Sequence, residues 1–211
     1  MKIDFHIHTQ YSKDTLTSLK YLKKVFDKRG LFPVITDHNN IKGALRFRKE
    51  FDRRCIIGEE VKTTEGEVIG LYLNEEIPKG LGIHETIDRI RQQGGIVYLP
   101  HPFDKIRHHL KKFDIDADIV EVFNSRVLFH KYNLMAEEFA EKKGWLKATG
   151  SDAHFGWHAG LCHVELEEFD GKKELLKNLK NGRLVTRRTP LYAFPLTELV
   201  QTYKKIGKRI I

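Results

Sequence analysis

Cysteine is scarce in this 211-residue chain, where Cys55 and Cys162 are the only two. They have no metal-knuckle spacing and are too few for a disulfide scaffold, so reduced, buried thiols are expected. No apolar run approaches the roughly 20 residues that cross a bilayer, and the N-terminal residues carry no signal-peptide pattern. A cytoplasmic protein without a membrane partner is the expectation. A Gly-x-x-x-x-Gly-Lys phosphate loop, a nucleophile elbow and a Cys-His protease signature are also missing, so the chain shows none of the local signatures of P-loop, serine-hydrolase or cysteine-protease chemistry. Internal repeats, low-complexity tracts and linkers are absent too. With 40% hydrophobic content, one domain over residues 1–211 is expected. Residues 163–211 form its C-terminal part and carry a basic helical tail. The formal charge of +8 favours anionic ligands, phosphate esters and nucleic acid alike.

Short apolar runs alternate with helical patterns, the order expected of an α/β fold. Strands are predicted at Ile3–His6, Phe32–Thr36, Ile56–Val61, Val68–Leu73, Ile96–Leu99, Ile119–Val122, Leu146–Thr149 and Val164–Leu166. Leu16, Leu19, Leu22, Val25 and Phe26 recur at helical spacing and end at Gly30. Ile83, Ile87 and Ile90 do the same before Gly94-Gly95, and Leu134, Phe139 and Ala140 before Gly144.

Polar residues fall where these strands end. His6 and His8 alternate with Ile7, so in an extended strand both point to one face and can grip one ion. Asp152 and His154 repeat that geometry. Left uncompensated, such groups would each cost roughly 1–3 kcal/mol, and shared metal coordination removes the cost. His38, Glu60, His101 and the Glu121–Asn124 run also close strands. In a closed parallel barrel these C-terminal ends converge on one face, where active sites lie. A lone histidine at a strand end is more often structural, but that reading would have to hold six separate times.

The motifs Asp4-Phe5-His6-Ile7-His8-Thr9, Thr36-Asp37-His38-Asn39, Gly58-Glu59-Glu60, Leu99-Pro100-His101-Pro102-Phe103, Glu121-Val122-Phe123-Asn124 and Gly150-Ser151-Asp152-Ala153-His154 resemble, in order, those of the PHP (polymerase and histidinol phosphatase) superfamily. The resemblance covers residues 1 to about 190. It implies a distorted (β/α)7 TIM-like barrel holding two or three divalent metal ions, which hydrolyses phosphate esters with metal-bound hydroxide. It assigns His6, His8, Glu60 and Asp152 to one ion, Glu60 and His101 to a second, and Asp14, His38 and His154 to a third. Glu60, Asp152 and His154 are the implied catalytic residues. Mixed imidazole and carboxylate ligands suit manganese, zinc or iron better than magnesium. One departure stands out: many members place a histidine where this chain has Ile69 in Gly66-Glu67-Val68-Ile69. Isoleucine cannot bind an ion, so the second site is expected to rely on water, Glu121 or another side chain.

Substrate contacts are expected from Asn124, Arg126 and Arg107, with Arg126 able to pair bidentately with a phosphate. The basic stretch Lys172, Lys173, Lys177, Lys180, Arg183, Arg187 and Arg188 has no interleaved aromatics, so nucleic acid is the less favoured partner. Only about 40 residues separate Glu60 from His101, which leaves little chain there for a cap. The favoured reading is hydrolysis of a small phosphomonoester, of a metabolite or a nucleotide. A nuclease or phosphodiesterase and a non-catalytic metal- or partner-binding barrel are the alternatives.

Overall fold

The computed structural model describes residues 1–106, 110–111 and 114–207. Strands β1 (Lys2–Ile3), β2 (Leu31–Phe32), β3 (Val34–His38), β4 (Ile56–Lys62), β5 (Glu67–Leu71), β6 (Ile96–Leu99), β7 (Ile119–Asn124), β8 (Leu146–Gly150), β9 (His163–Glu165) and β10 (Arg183–Val185) alternate for the most part with helices. The helices are α1 (Leu19–Arg29), α2 (Lys42–Phe51), α3 (Ile83–Gln92), α4 (Lys131–Lys143), α5 (Lys172–Leu179) and α6 (Ala193–Gly207). No helix among the described residues is long and apolar enough to cross a membrane.

The main sheet runs β3-β4-β5-β6-β7-β8, and a smaller one runs β10-β9-β1-β2. The main sheet departs from the all-parallel expectation at β5, which is antiparallel to both neighbours. Only residues 63–66 join β4 to β5, too few for the dozen or more that a parallel crossover needs. The sheet curls. Ile7 accepts from Thr36 N of β3 (2.9 Å), while His8 N donates to Ala153 O just past β8 (3.1 Å), so the segment after β1 bonds to both edges.

Strand alternation then sorts the side chains. Ile56, Ile69, Leu71, Tyr98, Ile119 and Ala148 form an inner core with Phe5, closed below by Leu175 and Leu179 of α5. Ile35, Ile57, Val61, Val68 and Val97 face outward against α1, α2 and α3. Ser18 caps α1 by accepting from Tyr21 N (3.2 Å), and Gly30 ends it at φ 64°, where other residues are strained. α4 forms as expected but is rotated. Leu134 is exposed, and Asn133, Ala136 and Ala140 face inward. Asn133 holds the end of β7, accepting from Asn124 N (3.2 Å) and donating to Asn124 O (3.4 Å). Both cysteines are free; Cys162 is buried and Cys55 half-buried.

α2 lies against the end of β3 at Gly43. A Cβ there would stand 2.0 Å from Asp37 Oδ2 and 2.6 Å from Thr9 Oγ1. Gly43→Ala is expected to destabilise the protein by about 1–3 kcal/mol in denaturant unfolding, because a methyl must displace a buried, hydrogen-bonded carboxylate. Gly207→Ala, with nothing within 4 Å of the added Cβ, should stay within about 0.5 kcal/mol. Equal effects would refute the close approach.

Candidate metal centre

The inner-face positions at the top of the sheet bring the ligand candidates together. Glu60 faces inward, whereas Glu59 alternates outward and accepts from Ile77 N (2.9 Å). A bulge in β7 between Glu121 and Phe123 restores the inward phase, so Glu121 and Asn124 both face the centre opposite Ala148 and Gly150. His101 and Asp152 adopt positive φ (26° and 50°), a strained conformation for such residues that clusters at functional sites.

Glu60 is the hub. Its Oε2 lies 3.3 Å from His6 Nε2, 3.4 Å from His8 Nε2 and 2.9 Å from His38 Nδ1, and its Oε1 lies 3.2 Å from His101 Nε2. Asp152 Oδ1 stands 3.3 Å from both His8 Nε2 and His154 Nδ1. Asp14 Oδ2 is 3.2 Å from His38 Nε2 and from His154 Nε2. Four groupings have ligand atoms within 4.8 Å of one another: His6-His8-Glu60, His6-His101-Asp152, His38-Glu60-Glu67 and His8-His38-His154. All eight predicted ligands are thus gathered in one place.

The donor set fits cations. Asp14 Oδ1 and His101 Nδ1 are buried without a hydrogen-bond partner, which is costly unless another group satisfies them. His6 Nε2 and His8 Nε2 are 3.1 Å apart, convergent like two ligands of one ion. Around them, other residues fix orientation. Glu121 takes His6 Nδ1 (3.1 Å), the Tyr98 hydroxyl (2.9 Å), His101 N (2.8 Å) and Asn124 Nδ2 (2.9 Å). Both its oxygens are therefore occupied, and it orients the ligands rather than replacing the missing histidine. Asp152 O accepts from His154 Nδ1 (2.9 Å), which turns Nε2 toward Asp14. Asp37 accepts from Thr9 N, Thr9 Oγ1 and Ser12 Oγ, all at 2.7 Å, and so shapes the loop that carries Asp14.

Ile69 is fully buried in the inner core, beneath the centre. Glu67, two residues away and so on the same face, brings Oε2 to 3.9 Å from His101 Nε2 and joins the His38-Glu60 group. The vacant ligand position is thus within reach of Glu67. The period-2 relation of residues 67 and 69 was the signal available in the sequence.

Without cations, protons carry the positive charge. Burial opposes protonation of His38 most strongly, but Glu60 and Asp14 hold its imidazole well above the ordinary 6.5. His6 rises in the same way, with Glu60, Asp152 and Glu121 overcoming burial. Burial, with His38 and His154 nearby, pushes His8 down to about 3. Burial alone would raise Glu60, yet His38 and His6 hold it well below its usual range. Burial pushes Asp4 up to about 7 despite its bonds from Ser151, Gly160 and His6.

Of the expected substrate contacts, Asn124 instead supports the centre, donating to Asp152 Oδ2 (3.2 Å). Arg126 is buried at the rim of a cavity of about 330 Å³ that opens over the ligands, with Phe194 of α6 5.5 Å from its guanidinium. Arg107 lies outside the described residues, as do His108 and His109. Lys13, Glu67, Thr197, Glu198 and Gln201 also line the cavity. Trp157 packs against Phe155 (4.7 Å between rings) and donates to His158.

A family model described as PHP-associated matches residues 130–184. Over that segment the chain is similar to PHP-associated proteins. Two Methanocaldococcus jannaschii proteins are similar to it. MJ0417, an uncharacterized protein, is 42% identical over 182 residues, covering 82% of this chain and 73% of its own. MJ1587, also uncharacterized, is 46% identical over 141 residues, covering 59% and 82%. Three solved structures share the α/β fold at low identity. A proposed metal-dependent phosphoesterase of Bifidobacterium adolescentis matches at TM-score 0.60 and 16% identity, over 73% of this chain and 88% of its own. PsfC of Pseudomonas syringae matches at 0.60 and 15%, over 97% of each chain. An amidohydrolase of Chromobacterium violaceum, holding sulfate and no metal, matches at 0.57 and 12%, over 94% and 96%.

Two expectations follow for this centre. Glu67→Gln should lower bound manganese per chain by mass spectrometry or calorimetry and weaken affinity about 10–100-fold; unchanged stoichiometry and affinity would remove Glu67 from the centre. In the metal-stripped protein, His6 and His38 titrate above their unfolded 6.5, so their stabilisation is complete below that value and is lost as pH rises through the folded values. Asp4, raised from 3.8 to about 7, acts in the same direction between those values, while His8 opposes only below 6.5. Unfolding in chelator should therefore show lower stability at pH 8 than at pH 6.5, and manganese should abolish the difference. Greater stability at pH 8 in chelator would contradict this reading.

Proposed function

We propose that this chain hydrolyses a phosphomonoester of a small metabolite at a centre of two or three divalent cations, manganese, zinc or iron. The observation that carries the proposal is the convergence of eight imidazole and carboxylate side chains, two with orphaned buried atoms, beneath a cavity whose rim carries Lys13 and the buried Arg126. His6, His8, Glu60 and Asp152 would hold one ion, Glu60, Glu67 and His101 a second, and Asp14, His38 and His154 a third. In this reading the curled sheet, joined at both edges to the His6–His8 segment, is a distorted seven-membered barrel.

Bound divalent ions supply Lewis acidity, which activates water near neutral pH and offsets charge on a transferring phosphoryl group. The chain's own residues prepare that chemistry. Glu121 holds His6 by Nδ1, leaving Nε2 for the centre, and Asn124 occupies Asp152 Oδ2, leaving Oδ1. Arg126, its guanidinium set against Phe194, is placed to pair with phosphate oxygens, and Lys13 adds positive charge at the mouth. A cavity of about 330 Å³ suits a small ester. Parts of the basic C-terminal stretch already have partners: Arg183 pairs with Glu165, Lys172 donates to Gly94 O and Arg188 to Leu128 O. That weakens the polynucleotide reading.

Metal-stripped protein reconstituted with manganese should release phosphate from small phosphomonoesters. Asp152→Ala should lower kcat/KM at least about 100-fold. Turnover confined to oligonucleotides would transfer the reading to a phosphodiesterase, and turnover of neither above the variant would end the hydrolase proposal.

A further inference from the structure

The scarcity of chain between Glu60 and His101 does not leave the centre uncovered, because α6 crosses the cavity from the C-terminal side. Thr197, Glu198 and Gln201, at i, i+1 and i+4, share one side of the helix and line the cavity. Two contacts fix the helix there. At its start Phe194 packs on the Arg126 guanidinium. Near its end Lys204 Nζ donates to the carbonyls of Gln10 (2.7 Å), Ser12 (2.6 Å) and Thr15 (2.8 Å), tying α6 to the loop that bears Asp14. The wall facing the cavity is thus positioned from both sides.

The cavity is electrically divided. Its floor is the ligand cluster, Lys13 and Arg126 supply cations, and α6 adds a carboxylate at Glu198 beside the Gln201 amide. Glu198 makes no ion pair within 4.0 Å among the described residues, so its charge faces the cavity without a contacting cation there. With a phosphate held between the floor and Arg126, the rest of the ester would occupy a cavity that Glu198 also lines. A second anionic group there would meet like charge, whereas an ammonium would be attracted, so one carboxylate serves both selection and rejection.

We propose that α6 is the leaving-group wall of this site and that Glu198, with Gln201, selects phosphomonoesters whose leaving group carries an ammonium and rejects those carrying a further anion. This rests on the phosphomonoesterase reading and adds the side chains that read the rest of the substrate.

The test compares 3-aminopropyl, propyl and 3-carboxypropyl phosphate as substrates, and the three corresponding phosphonates, which cannot turn over, as ligands in calorimetry. The manganese-loaded protein should rank them ammonium over neutral over carboxylate, by about 10-fold or more between the extremes. Glu198→Gln should compress that ratio, Glu198→Lys should invert it, and Glu198→Asp should retain its sign. A ratio near one in the parent protein, or one that Glu198→Lys leaves in place, overturns the proposal. The phosphonate ranking decides this inference even if no ester is hydrolysed, whereas absent turnover counts against the phosphomonoesterase reading alone.

Discussion

A buried carboxylate approached by four imidazoles within 3.4 Å is the constraint on which this molecule turns. Glu60 lies almost wholly out of solvent, and His6, His8, His38 and His101 arrive from two separate segments and one adjacent strand. Such a cluster is stable only when its charges are matched, since an uncompensated buried charge costs several kcal/mol. Protons on His6 and His38, both held well above the ordinary 6.5, supply the match when no cation is present, and divalent ions would take their place. Folding and metal binding are therefore coupled through the same residues.

That requirement explains the second tier of contacts. Glu121 has no free oxygen because orienting His6, His101 and Asn124 uses both. The bulge in β7 exists at the place where two inward polar residues are needed within four positions. Gly150 leaves room for them: a Cβ there would stand 2.1 Å from Glu121 Oε1 and 2.5 Å from His6 Cβ. Asp4 ties Ser151 and Gly160 to the first strand, holding together segments about 150 residues apart in the chain.

Above the centre, α6 would link the proposed catalysis to the proposed selection. It rests on Arg126, a proposed phosphate contact, and on the loop of Asp14, a proposed ligand. Movement of the helix would reach both at once. In the proposed reading, ions, phosphate and leaving group are read by one connected set of side chains rather than by separate loops.

The candidate ligands' types, order and strand-end positions were legible in the sequence, because the alternation of His6-Ile7-His8 and Asp152-Ala153-His154 already dictates which side chains share a face. Helix ends at Gly30 and Gly144 were legible for the same local reason. The antiparallel β5 was foreshadowed only by the shortness of residues 63–66. Tertiary structure decided the rest. The rotation of α4 follows from Asn133 bonding to a strand end. Glu67 reaches the centre through its cross-strand neighbours, and α6 becomes a wall through a lysine bonded to carbonyls some 190 residues earlier in the chain. Local geometry is written in neighbouring residues, whereas contacts between distant segments depend on the path of the whole chain.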